Sequence, residues 1–166
     1  FAGIEIRRLD TETCETELIG KITSSDKNVV LNEPNMIELP DGKLICHIRA
    51  ENAELFSGGD ETMFTVFQSV SVDGGKTWSA PHRLIHPQGG APSHIYMHSS
   101  GVLIAAYSNR LIGKPGIRLM FSTDGGENFS QGVVVASAGG LEEGVWEPFL
   151  LQLDDGRLVC YYSDDS

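Results

Sequence analysis

Asn32-Glu33-Pro34-Asn35-Met36-Ile37-Glu38-Leu39-Pro40-Asp41-Gly42-Lys43-Leu44-Ile45-Cys46 returns 114 residues later as Trp146-Glu147-Pro148-Phe149-Leu150-Leu151-Gln152-Leu153-Asp154-Asp155-Gly156-Arg157-Leu158-Val159-Cys160, without a gap. A looser copy, Pro92-Ser93-His94-Ile95-Tyr96-Met97-His98-Ser99-Ser100-Gly101-Val102-Leu103-Ile104-Ala105, lies between them. A second motif interleaves with the first: Ser71-Val72-Asp73-Gly74-Gly75-Lys76-Thr77-Trp78 matches Ser122-Thr123-Asp124-Gly125-Gly126-Glu127-Asn128-Phe129, 51 residues on. Two motifs alternating at a common spacing mark a chain built from repeated units of one kind.

Each unit reads as four short strands. Strand A of the first is Asn35–Leu39 and strand B Leu44–Ala50, joined at Asp41-Gly42, where glycine accepts the positive φ of a tight hairpin. Strand C, Phe64–Val72, turns at Asp73-Gly74-Gly75 into strand D, about His82–Ile85. The next unit repeats this as Ile95–His98, Leu103–Ser108, Ile117–Ser122 and Val133–Ala136. Phe149–Leu153 and Leu158–Tyr162 give A and B of a further unit; Gly3–Leu9 and Glu17–Thr23 fit C and D of a preceding one. Four antiparallel strands, repeated radially, describe a β-propeller blade. The expected division is 1–30 for strands C and D of a preceding blade, 31–88 and 89–140 for two whole blades, and 141–166 for strands A and B of the next. A ring needs about four blades to close, so the phase predicts about three blades of a larger propeller, whose remaining blades are the chain's first partners.

Composition narrows the function classes. The 166 residues carry 12 Lys plus Arg against 23 Asp plus Glu, a net charge of −11, so the basic stripe of a nucleic-acid binder is missing. No apolar run approaches the ~20 residues of a membrane helix, which argues against membrane insertion. Cys14, Cys46 and Cys160 are odd in number and lack metal-site spacing, so they read as ordinary small residues. In the Asp-Gly-Gly turns the carboxylate is expected to accept backbone N–H groups, and an EF-hand's further oxygen ligands are missing. Trp78 and Phe129 are expected to fill the gaps between blades.

Ser-x-Asp-Gly-Gly-x-Thr-Trp resembles the Asp-box of sialidases and related exo-glycosidases. That resemblance implies an all-β, six-bladed propeller, an exo-acting glycoside hydrolase, a glycan or polysaccharide substrate, and no metal or organic cofactor. The strand order puts the Asp turns and the A–B turns on one rim. The start of A, the end of B and the B–C loop lie on the other, which gathers Glu33, Arg49, Glu51, His94, Arg110, Glu147 and Asp164. Carboxylates and guanidinium groups converging on a mouth suit a sugar hydrolase.

Glu33 followed sixteen residues later by Arg49 is similar to the sialidase segment carrying a glutamate and the second arginine of a triad. The resemblance implies that Glu33 activates the nucleophile and Arg49 grips a substrate carboxylate through paired N–H donors. Arg110 resembles the third arginine; the first arginine and the acid/base aspartate of that family lie in earlier blades. At the place of the sialidase tyrosine nucleophile stands Glu147. An anionic nucleophile suits a neutral sugar better than a sialoside, whose anomeric carbon bears a carboxylate. Trp146-Glu147-Pro148-Phe149-Leu150 with Cys160-Tyr161-Tyr162-Ser163-Asp164 resembles the exo-arabinanase family, where a glutamate in such a segment is catalytic.

The leading expectation is therefore a retaining exo-hydrolase releasing a terminal sugar, first of all sialic acid. Glu33 and Glu147 are its catalytic candidates, and Arg49, Arg110, His94 and Asp164 its substrate-binding ones. The alternatives are an exo-arabinanase-like enzyme acting on a neutral sugar and a non-catalytic carbohydrate-binding propeller. His94 and His98 sit roughly 13 Å apart on one strand, too far for one metal ion. Asp60 and Glu61, on the B–C loop, are weaker candidates for the substrate rim.

Overall fold

In the computed structural model, residues 3–52, 65–84, 90–109, 115–130, 132–139 and 144–165 are described. β1 (Gly3–Leu9) and β2 (Thr16–Thr23) form an antiparallel pair. β3 (Val29–Glu38), β4 (Leu44–Asn52), β5 (Thr65–Ser71) and β6 (His82–Arg83) form a four-stranded antiparallel sheet in chain order. β7 (Gly90–Met97), β8 (Leu103–Asn109), β9 (Gly116–Ser122) and β10 (Val133–Ser137) form a second, and β11 (Val145–Gln152) pairs with β12 (Leu158–Asp164). The fold is all-β: the described residues contain no helix.

The sheets stack face against face in sequence order. Ile4, Ile6 and Ile22 of the first pair meet Leu31, Cys46, Ile48 and Ala50 of the next sheet, with Trp78 against them. The other face of that sheet, Ile45 and Val66, meets Ile95, Leu103, Ala105 and Met120, with Phe129 against them. Ile104 and Ala106 then meet Leu150 of the last pair. β8 explains the stacking from sequence: all seven of its residues are buried, because its Leu-Ile-Ala-Ala-Tyr run is apolar on both faces. The last pair buries Leu150 against this sheet, while Phe149, Leu151 and Tyr161 stay exposed over much of their surface.

In both Asp turns the carboxylate is held from within the turn. Asp73 accepts from Ser71 Oγ at 2.9 Å, from the Thr77 N–H at 2.9 Å and from Thr77 Oγ1 at 2.6 Å. Asp124 accepts from Ser122 Oγ at 2.7 Å, from the Asn128 N–H at 3.0 Å and from Asn128 Nδ2 at 2.8 Å. The Thr77 bonds hold the Asp73 carboxyl down at about 2; those from Asn128 hold Asp124 lower still. Gly126 takes φ 84° in its turn, with the Ile45 side chain against its α-carbon, so a side chain there is excluded twice over. Trp78 donates Nε1–H to the Gly75 carbonyl at 2.8 Å and closes the first turn.

The inner strands are longer than the sequence reading allowed. The expected strands A begin at Asn35 and Phe149, just after the Glu-Pro pairs. Instead β3 resumes its ladder before Pro34, with Asn32 opposite Arg49 and Asn35 opposite His47, so that Glu33 and Pro34 together face Ile48. A β-bulge absorbs the missing donor. β11 does the same, with Glu147 and Pro148 facing Tyr162. Strand D is shorter than expected, at His82–Arg83; Ile85 lies outside the described residues.

Candidate active site

Glu33 and Glu147 sit at matched bulges, and both have left-handed backbone, φ 45° and 49°. Each directly precedes a proline, whose ring biases the residue before it toward extended conformations. A non-glycine residue held in this region costs of order 1–3 kcal/mol, and such residues gather where a side chain must be aimed. A bulge re-aims side chains and ends regular pairing. Both glutamates are exposed.

Arg49 lies across the ladder from Asn32, beside the first bulge. Its Nη1 is 2.7 Å from Glu33 Oε1, and its Nε meets Glu51 Oε1. The side chain of Glu51 is only 3% exposed against 54% for Glu33, so the guanidinium joins a buried carboxylate to one at the surface. Among the described residues, one guanidinium thus bridges two carboxylates. Sequence reasoning weighed Glu51 only as a rim residue; its place two residues after Arg49 on the same strand, hence on the same face, was the available signal.

His94 lies on β7, which packs between β3 and β11. Its Nδ1 accepts the backbone N–H of Leu150 at 2.9 Å, and its ring stacks on Phe149, centroids 4.4 Å apart and planes 12° from parallel. Partial burial shifts its pKa downward, favouring the neutral ring that can accept this bond. Asn35, the matching residue of the preceding unit, does the same one sheet earlier: its Oδ1 accepts the Ile95 N–H at 2.8 Å. β3, β7 and β11 are each the edge strand of their sheet. Outward N–H groups on such edges need partners, and for Ile95 on β7 and Leu150 on β11 the preceding unit supplies one. The sequence places Asn35 and His94 in register but does not reveal this shared bond.

Glu147 stands apart from the Glu33–Arg49–Glu51 cluster, on β11, with β7 between. Asp164 is exposed at the end of β12, opposite Val145. Trp146, beside Glu147, donates Nε1–H to Asp165 Oδ2 at 2.6 Å and ties the start of β11 to the end of β12. Tyr161 and Tyr162 are both exposed. Arg110, Asp60 and Glu61 lie outside the described residues.

No protein-family model matches the chain, and no curated protein matches its sequence. Solved structures do. A protein of unknown function from Dyadobacter fermentans aligns with 95% of this chain at 24% identity and a TM-score of 0.74, over 40% of its own length. An α-L-arabinofuranosidase of Fusarium graminearum, solved with arabinobiose, aligns with 99% at 22% identity and a TM-score of 0.61, over 45% of its length. The NanB sialidase of Streptococcus pneumoniae aligns with 97% at 16% identity and a TM-score of 0.68, over 24% of its length. The chain spans less than half of each of these structures. At these identities the likeness is one of fold, and the fold is the sialidase-like one that sialidases and this arabinofuranosidase share.

Proposed function

We propose that the chain contributes about three blades of a six-bladed propeller to a retaining, exo-acting glycoside hydrolase that releases a terminal neutral sugar from a glycan or polysaccharide. The observation that carries this reading is the pair Glu33 and Glu147, each strained into left-handed backbone before a proline at the same place in the repeat. Their rim lies opposite the Asp turns, whose carboxylates are spent on backbone and side-chain donors of the same turn.

In this reading Glu147 attacks the anomeric carbon. A glycosyl ester forms as the glycosidic C–O bond breaks, and the leaving oxygen takes a proton from an acid elsewhere in the protein. Water then hydrolyses the ester with retention. Glu33, held by Arg49, orients the sugar hydroxyls, and Asp164 borders the same opening. The neutral sugar is favoured over sialic acid because Arg49 already meets two carboxylates. An anionic sugar would compete with both of them and face an anionic nucleophile. Sialic acid is the second reading, supported by the Glu33–Arg49 ion pair that the sialidase resemblance implies.

The test uses the full-length protein on nitrophenyl α-L-arabinofuranoside and nitrophenyl sialoside. Turnover of the first, falling at least about a thousandfold in Glu147→Gln with folding retained, is the expected result. Sialoside turnover that survives Glu147→Gln would remove both the neutral-sugar reading and the nucleophile. Sugar binding with no turnover of any glycoside would leave a non-catalytic propeller.

A further inference from the structure

We infer that His94 is a positioning residue, which fixes the aim of Glu147 by anchoring the strand that carries it. This rests on the reading of Glu147 given above. Leu150 lies three residues beyond Glu147, just past the bulge, and its N–H is bound by His94 Nδ1 at 2.9 Å. Phe149, between them in sequence, is stacked on the His94 ring. The bulge is therefore pinned from both ends: by Trp146 to Asp165 before Glu147, and by His94 after it. Without the second anchor, the edge of β11 loses the side chain that meets its Leu150 N–H, and the left-handed turn at Glu147 loses its restraint on one side.

The repeat itself supplies the control. Asn35 makes the equivalent bond to Ile95 at 2.8 Å, so an asparagine amide reaches across the same inter-sheet gap. His94→Asn is expected to keep the anchor, and His94→Leu, of similar bulk but without an acceptor, to lose it. The role is one of geometry, so the loss is expected in kcat more than in KM.

The experiment measures amide hydrogen exchange at Leu150 and steady-state kinetics in the full-length protein and both variants. The expected result is a drop of at least tenfold in Leu150 protection and in kcat for His94→Leu, with KM within about threefold, and recovery of both within threefold in His94→Asn. Unchanged Leu150 protection in His94→Leu overturns the inference, as does equal impairment of the Asn and Leu variants. Glu147→Gln separates the two readings. Full activity in that variant removes the catalytic role of Glu147, whereas the exchange data judge the His94 anchor with no reference to turnover.

Discussion

Lowering the pH from 7.5 to 4.5 should destabilise the protein through one buried ring. His47 is 1% exposed on β4 and makes an edge contact with Phe129, 5.3 Å between centroids. Its Nε2 bonds Gln68 Oε1 at 3.0 Å, and Gln68 Nε2 donates in turn to the Gly126 carbonyl at 2.9 Å in the neighbouring sheet's Asp turn. Since an amide oxygen only accepts, Nε2 carries a proton in this bond. Burial drives its pKa from the ordinary 6.5 down to about 4, against a smaller upward pull from Gln68. The folded state therefore binds fewer protons than the unfolded chain between these values. The stability from the neutral ring is complete above about pH 6.5 and drains away as pH falls toward 4. At about 1.4 kcal/mol per pH unit, the interval from 6.5 to 4.5 removes roughly two to three kcal/mol. The Asp turns do not blur this window: Asp73 and Asp124 lose their contribution only below the ordinary 3.8. Urea unfolding of the full-length protein and of His47→Gln, each at both pH values, isolates the effect. The variant should start less stable and lose two to three kcal/mol less than the parent on acidification. Parallel losses in the two proteins would mean that His47 is not held neutral by this network, and the account of the sheet-to-sheet link would fail.

Three further outcomes follow from the same geometry. Glu147→Gly should leave stability unchanged or raise it by up to about 1 kcal/mol while abolishing activity, and Glu147→Val should lower it by about 1–3 kcal/mol, because φ 49° suits glycine and not a β-branched residue; thermal unfolding of the two variants tests this. Arg49→Met should cost about 3 kcal/mol in urea unfolding by stranding the buried Glu51 carboxylate, and Arg49→Met with Glu51→Leu should recover at least half of it. Gly20→Ala should destabilise by about 1–3 kcal/mol, since a Cβ there would overlap the backbone carbonyl of Gly75 and push the first Asp turn off β2; a circular-dichroism melt reads it.

Much of this was legible because the repeat is written twice without a gap. An offset of 114 residues equates Glu33 with Glu147 before any coordinate is seen. The Asp turns were legible for a similar reason: Ser, Asp and Thr or Asn lie within seven residues, and their bonds close inside that span. What was not legible crosses between sheets. The bond from His94 to Leu150 spans 56 residues and that from Asn35 to Ile95 spans 60, so neither leaves a local signature. The bulges were hidden differently. Proline marks a break in the ladder, but whether a strand stops there or steps over it depends on the partner strand, and β4 and β12 are long enough to pair beyond it. The rim position of Glu51 was legible from strand topology, but not its burial, which the arginine on the same face permits.

The middle unit explains why the rim is uneven. Pro92 takes the place that Glu33 and Glu147 hold in the flanking units. Its ring confines φ to about −65°, so a left-handed turn is barred at that position. β7 nevertheless bulges, but with Ser93 alone as the extra residue. A unit that cannot turn its backbone there cannot aim a side chain by this device, and two residues on, His94 instead binds the N–H of Leu150 on β11. Left-handed backbone by itself does not mark function: Cys14 has φ 58° in the exposed turn between β1 and β2, where nothing is aimed. It gains meaning where two units repeat it on a carboxylate and the unit between them, barred from doing so, instead holds one of those strands in place. In the proposed site, β3 and β11 then carry the two glutamates and the intervening β7 carries the restraint, which sets the two carboxylates apart with one sheet edge between them.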